Sequence, residues 1–174
     1  DKFIGEWLDG SKPFDIPVII IPSWDMWNDD SCADQEVFLR KNLWGMATSA
    51  QWKSDHVFSH LQPWYGVGLY ATAFGSEYIW NSNHCPQTQP VFKSVEELKD
   101  IEVPDPKKCE NMKTVLERIS WYREVTKDQL PICMTDTQSP NNTASLLVET
   151  NEYFMNICMN PEKLDPLFRA ITKL

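Results

Sequence analysis

The sequence predicts an α/β fold, a parallel sheet whose strands alternate with outer helices. Three observations predict it. Ile16–Pro22 is a β-branched run bounded by prolines, Asp55–Leu61 and Leu130–Thr135 are further strand-like segments, and stretches of helical period lie between them. Strands separated by amphipathic helices are the pattern of crossover units in a parallel sheet.

Phe3, Ile4, Trp7 and Leu8 fall at helical spacing before Gly10, which predicts a short leading helix over Phe3–Asp9. Ile16–Pro22 has the continuous apolar character of a strand buried on both faces and is the first core strand. Asp34 is placed to cap a crossover helix through Ser49, with Val37, Phe38, Asn42, Leu43 and Met46 on its period. A second strand, Asp55–Leu61, follows. From Gln62 to Val103 the chain is rich in Pro, Gly, Asn and aromatic residues and has no sustained period, apart from a short helix after Ser94 with Glu97 in capping-box position. A stretch this long between core elements reads as cover for an active site. Pro104-Asp105-Pro106 introduces a long helix through Val115, Leu116, Ile119, Tyr122 and Val125. Leu130–Thr135 is the third strand, and helices run from about Thr143 to Leu174 with a break at Asn160-Pro161.

Three strands are too few to complete such a sheet. A barrel of eight such units needs about 250 residues, so residues 1–174 read as the first three βα units of a partial (β/α)8 TIM barrel, one domain whose second half lies elsewhere. Both ends read as cut, since the chain begins at Asp1 and stops at Leu174 inside an amphipathic pattern. Alone, such a piece would expose a sheet edge and aggregate.

The net charge is −9 and the pI about 4.8, and the 16 Lys and Arg are scattered among carboxylates, which argues against nucleic acid as a partner. No apolar run is long enough to cross a bilayer and no secretory signal opens the chain, so no membrane partner is expected. Five cysteines without a C-x-x-C pair predict a reducing, cytoplasmic setting. Asn141-Asn142-Thr143 matches a glycosylation acceptor, but nothing else argues for a secretory route. No Gly-rich phosphate loop is present, which argues against nucleotide cofactors. His84-Cys85 is the one place where two soft ligands adjoin, and adjacent residues rarely converge on one ion, so no metal site is predicted here.

In a barrel the chemistry sits at the C-terminal ends of the strands and on the loops that follow. For the first strand that selects Ser23, Trp24 and Asp25, with packing under a lid as the plainer role for the tryptophans. For the second it selects His60, Gln62, Trp64 and Tyr65. A histidine facing a pocket serves as acid, base or donor near neutral pH, whereas His56 and His60 share a strand face and one of them is then structural. For the third it selects Asp136, Gln138, Ser139 and Asn142. Asp136 either acts as a base and orients a polar substrate or accepts N–H bonds in a turn, and Asn141 or Asn142 caps the next helix.

Leu61-Gln62-Pro63-Trp64-Tyr65-Gly66-Val67-Gly68 leading to Ala73-Phe74-Gly75, Leu130-Pro131 through Thr135-Asp136-Thr137-Gln138-Ser139-Pro140, and Asn160-Pro161-Glu162 through Ile171-Thr172 resemble, in order and spacing, the uroporphyrinogen decarboxylase superfamily. That superfamily includes tetrapyrrole decarboxylases and corrinoid-linked methyltransferases. The resemblance implies a small-molecule substrate; the strand-end selection then gives His60 and Asp136 as the candidate catalytic residues and Trp24, Asp25, Gln62, Trp64, Tyr65, Gln138, Ser139 and Asn142 as the candidate substrate-binding residues. Two departures weaken decarboxylation. The decarboxylases carry Arg-Gln-Ala-Gly-Arg after the first strand, where this chain has Pro22-Ser23-Trp24-Asp25-Met26-Trp27, and they carry Phe-Ser-Asp where this chain has Phe58-Ser59-His60. A substrate with many carboxylates needs several Arg or Lys donors, yet Arg40, Arg118, Arg123 and Arg169 all lie on helical patterns, where a solvated outer face is expected.

The resemblance therefore orders the functions as corrinoid-linked methyl transfer first, then decarboxylation of a tetrapyrrole or smaller acid, then non-catalytic binding of a corrinoid or organic ligand. For the first it implies a zinc with ligands in the later half of the barrel, a corrinoid and a corrinoid protein as partner; homo-oligomers are compatible with all three. The eight tryptophans either line a pocket for a flat ligand or roof an ordinary lid.

Overall fold

The computed structural model describes residues 30–51, 60–81 and 84–174. The predicted leading helix, the first strand, most of the second strand, His56, Trp24 and Asp25 lie outside those residues.

Helix α1 spans Gln35–Gln51. The Asp34 carboxylate accepts the N–H groups of Glu36 and Val37 at 2.9 and 3.0 Å, which is the expected cap. Its buried stripe is Phe38, Asn42, Gly45 and Ser49, whereas Val37 and Leu43 are exposed.

The segment between Gln62 and Val103 holds more regular structure than its composition predicts. It contains α2 (Leu69–Ala73), an antiparallel pair of β1 (Tyr78–Ile79) and β2 (Gln87–Thr88), and a 3₁₀ turn at Val95–Leu98. The 3₁₀ turn carries the expected capping box. Ser94 Oγ accepts the Glu96 N–H at 3.3 Å, and Glu97 Oε1 accepts the Ser94 N–H at 3.0 Å. These elements are too short for hydrophobic period to reveal them.

Helix α3 spans Glu110–Thr126 and begins later than the proline pair predicts, because Pro106 opens a separate 3₁₀ turn, Pro106–Lys108, capped by Asp105. Its buried residues are Met112, Val115, Arg118 and Tyr122, while Leu116 and Val125 face outward. The expectation of a solvated Arg118 is thus corrected: it is 1% exposed.

The third strand is reduced to a single parallel bridge, Leu61↔Ile132. Leu61 donates to the Pro131 carbonyl at 2.8 Å and Cys133 donates to the Leu61 carbonyl at 2.9 Å, the slanted pair of a parallel ladder.

Helix α4 (Pro140–Leu147) starts three residues earlier than predicted. Its cap is Ser139, whose hydroxyl accepts the Asn142 N–H at 3.2 Å, and neither Asn141 nor Asn142 takes that role. Pro140 then fills the first helical position, where no N–H is needed. An extended link at Val148-Glu149, where Val148 bridges in parallel to Phe92, separates α5 (Thr150–Met159), and the break at Asn160-Pro161 precedes α6 (Asp165–Lys173). Ala71, Val95, Leu98, Ala144, Leu147, Tyr153, Leu164, Leu167 and Ile171 close one core between α2, the 3₁₀ turn and α4–α6. Each fully buried Leu contributes roughly 1.5–3 kcal/mol there. The architecture described is mostly helical, with a small two-stranded sheet.

Candidate functional site

The Leu61–Ile132 bridge brings two of the predicted strand ends together, and Thr135 Oγ1 donates to the Pro63 carbonyl at 3.2 Å just beyond it. The chain after Leu61 and the chain after Ile132 therefore leave the bridge side by side.

Two buried polar residues hold the first of these segments. Asn42 presents its carboxamide to the backbone of Gln62: Oδ1 accepts the Gln62 N–H at 2.7 Å, and Nδ2 donates to the Gln62 carbonyl at 3.4 Å and to Phe38 O at 2.9 Å. One side chain thus does what a neighbouring strand would do. Arg118 holds the next turn, donating from Nη1 to the Trp64 carbonyl at 2.7 Å and from Nη2 to the Cys32 carbonyl. Its guanidinium lies 5.2 Å from the Phe38 ring centroid and 5.1 Å from that of Tyr65. Burial lowers its pKa from the ordinary arginine value.

Trp64 itself is 2% exposed and packs with Cys32 and Phe38, so its indole belongs to this small core. Tyr65 is half-buried and meets Tyr78 and Trp80 edge-on, with centroids 6.0 and 5.5 Å away. Tyr78 and Trp80 are 5.7 Å apart, so the three rings form one cluster. Burial raises the Tyr65 pKa while the Arg118 charge pulls it down. Burial pushes Tyr78 well above the tyrosine range, and charge on Cys32, Tyr65, Cys109 and Asp136 pushes the same way. Both phenols are neutral at physiological pH. Tyr78 Oη is buried and has no hydrogen-bond partner among the described residues.

The second segment carries a chain of side-chain hydrogen bonds. Gln138 Nε2 donates to Asp136 Oδ1 at 2.6 Å and to Oδ2 at 2.7 Å, its backbone N–H donates to Oδ1 at 3.1 Å, and its Oε1 accepts from Asn142 Nδ2 at 2.8 Å. The turn role foreseen for Asp136 is therefore present. Three of the selected residues, Asp136, Gln138 and Asn142, are linked directly. Ser139 beside them caps α4. His60 is exposed at the start of the bridge segment, and Gln62 is held through its backbone.

Sequence reasoning misses Asn42, Arg118 and Tyr78 as parts of this region, and it reaches Trp80 only as one of the tryptophans that either line a pocket or roof a lid. For Arg118 a signal exists, since it lies between Val115 and Tyr122 on one helical stripe. Among the described residues no group of three His, Cys, Asp or Glu could hold a metal ion, and no helix is long and apolar enough to cross a membrane.

Residues 65–174 match the family described as uroporphyrinogen decarboxylase (URO-D), and the chain belongs to that family. No curated protein matches the chain. Among solved structures, a methyltransferase from Methanosarcina mazei aligns at a TM-score of 0.59 and 20% identity, covering 90% of this chain and 49% of that one. The likeness is one of fold, and the chain spans about half the length of that protein.

Proposed function

We propose that the chain is part of a corrinoid-linked methyltransferase of the uroporphyrinogen decarboxylase family, with a fold that continues as a parallel (β/α)8 barrel. What carries this reading is where the four arginines go. Arg40, Arg123 and Arg169 stand on exposed helix faces and pair with Glu36, Asp128 and Asp165. Arg118 is buried, with Nη1 and Nη2 donating to two backbone carbonyls and Nε enclosed away from the strand-end segments' surface. The strand-end segments meanwhile present an anion, Asp136. A substrate bearing several carboxylates needs convergent guanidinium forks, and these residues offer it repulsion instead.

In this reading Asp136 and His60 act on the substrate, Tyr65, Gln62, Gln138 and Asn142 shape the site, and a corrinoid protein delivers or accepts the methyl group. A zinc that activates the thiol would take its His and Cys ligands from outside these residues. The location is cytoplasmic, in keeping with five cysteines that form no disulfide. The test is to incubate the full-length protein with methylcobalamin and an alkanethiol and follow loss of the methyl–cobalt absorbance band. A parallel incubation with uroporphyrinogen follows coproporphyrinogen. Efficient decarboxylation without methyl transfer would overturn the proposal.

A further inference from the structure

Asp136 is a half-buried carboxylate with no cationic partner among the described residues, and every hydrogen bond it accepts from them comes from Gln138. Oδ1 accepts two of these bonds and Oδ2 one, so Oδ2 keeps an open lone pair. Gln138 reaches both oxygens because its backbone is left-handed, with φ of 55°, a conformation that a non-glycine residue holds only at a cost. Asn142, in the first turn of α4, then fixes the rotation of the Gln138 amide by donating to its Oε1. Oriented this way, the side-chain amide and the backbone N–H of Gln138 both direct donors toward the carboxylate. Thr135, beside Asp136 in the chain, is tied to Pro63, so the carboxylate is mounted on a segment anchored to the neighbouring strand end.

We infer that Gln138 and Asn142 are positioning residues that hold Asp136 as a fixed acceptor for a hydrogen-bond-donating or cationic group of the substrate. This rests on the enzymatic reading above, and it deepens that reading by naming the chemical class that meets Asp136. A carboxylate restrained by neutral donors alone retains its charge for the ligand, whereas one already paired with Lys or Arg has largely spent it.

The variants Asp136→Asn, Gln138→Ala, Asn142→Ala and the Gln138→Ala/Asn142→Ala double are made in the full-length protein. Asp136→Asn keeps a folded loop, because the introduced amide can donate to Gln138 Oε1 once the Gln138 and Asn142 amides flip, with Gln138 Nε2 then donating to Asn142 Oδ1. It is expected to lower kcat by ~100-fold or more. Loss of Gln138 leaves Asp136 present but misplaced and lowers kcat/KM by ~10-fold, with Asn142→Ala lowering it by ~3-fold. Because Asn142 acts through Gln138, the double variant should be no worse than Gln138→Ala in kcat/KM measured well below the Tm of every variant, where a merely structural role would lower Tm and leave kcat/KM unchanged. Wild-type kcat/KM in Asp136→Asn, or additive losses accompanied only by a lower Tm, would overturn the inference. Both reactions named above are assayed: the same ordering in uroporphyrinogen decarboxylation would uphold Asp136 and its two supports while removing the methyl-transfer reading. Should Asp136→Asn fail to fold, the Gln138 and Asn142 cycle decides the matter by itself.

Discussion

Arg118 Nη1 donates to the carbonyl oxygen of Trp64 across 2.7 Å, joining the middle of α3 to the segment that leaves the parallel bridge. The same guanidinium reaches the Cys32 carbonyl and lies between the rings of Phe38 and Tyr65. Replacing it by Met would fill similar volume but strand two buried carbonyls, so Arg118→Met should lower stability by about 3 kcal/mol. Arg118→Lys keeps the charge and loses the planar fork, so it should recover less than half of that loss. Urea denaturation of the full-length protein, with m unchanged, checks both values.

Asn42 offers a parallel case without charge. Its amide satisfies the N–H and the carbonyl of Gln62 at once, so Asn42→Leu leaves both unpaired and should lower stability by about 2 kcal/mol. Asn42→Asp retains an acceptor for the Gln62 N–H but has no donor for the carbonyls of Phe38 and Gln62, and it buries a charge at neutral pH. Its Tm should therefore fall below that of Asn42→Leu at pH 7 and recover as the pH is lowered through the carboxylate range.

These two residues show what is legible in the sequence and what is not. The caps at Asp34 and Ser94 and the helices around Phe38, Val115 and Leu167 follow from local pattern, because capping and period are properties of short windows, whereas the adjacency of Leu61 and Ile132 follows only from the rule that strands separated by helices pair in parallel. The partners of Asn42 and Arg118 lie 20 and 54 residues away, and no local window contains them. Composition places Arg118 at the surface because arginine usually lies there, and tertiary contacts override that preference. At the site, strand-end geometry selects Asp136, Gln138 and Asn142, which the structure links by hydrogen bonds. It gives no indication that Gln138 adopts a left-handed backbone to face Asp136.

Three glycines separate two kinds of steric cost. Gly75 has φ of 96° and open space where a Cβ would go, so Gly75→Ala carries backbone strain alone, about 1 kcal/mol. At Gly68, whose φ is −92°, an added Cβ would lie 2.3 Å from Thr88 Cγ2, so Gly68→Ala carries a clash alone. Gly66 combines both, with φ of 96° and a Cβ position 2.7 Å from Pro86 Cγ and 2.8 Å from Tyr78 Oη. The expected order of Tm is Gly75→Ala above Gly66→Ala, and Thr88→Ser should rescue Gly68→Ala specifically by removing the clashing methyl. Thermal melts of the single and double variants check the order; equal rescue of Gly66→Ala by Thr88→Ser would contradict the assignment.

Glu96 accepts hydrogen bonds from Lys99 and Lys163, at 2.6 and 2.9 Å, and these bonds hold its carboxyl down at about 2 from an ordinary 4.5. A carboxyl whose folded pKa is depressed binds fewer protons folded than unfolded, so its contribution is fully present above the unfolded value and is lost as pH falls toward the folded one. The Lys163 contact ties the 3₁₀ turn at Val95–Leu98 to the turn before α6, so losing it should loosen the packing between them. All three side chains are substantially exposed, which makes the effect small and sensitive to salt. The Tm difference between wild type and Glu96→Gln should therefore be present at pH 7, diminish between pH 4.5 and 2, and shrink at neutral pH when salt is raised to about 1 M. Lys163→Met should reproduce part of the same profile, since it removes one of the two donors. A Tm difference that stays constant from pH 7 to 2 would show that Glu96 acts through its shape and not its charge.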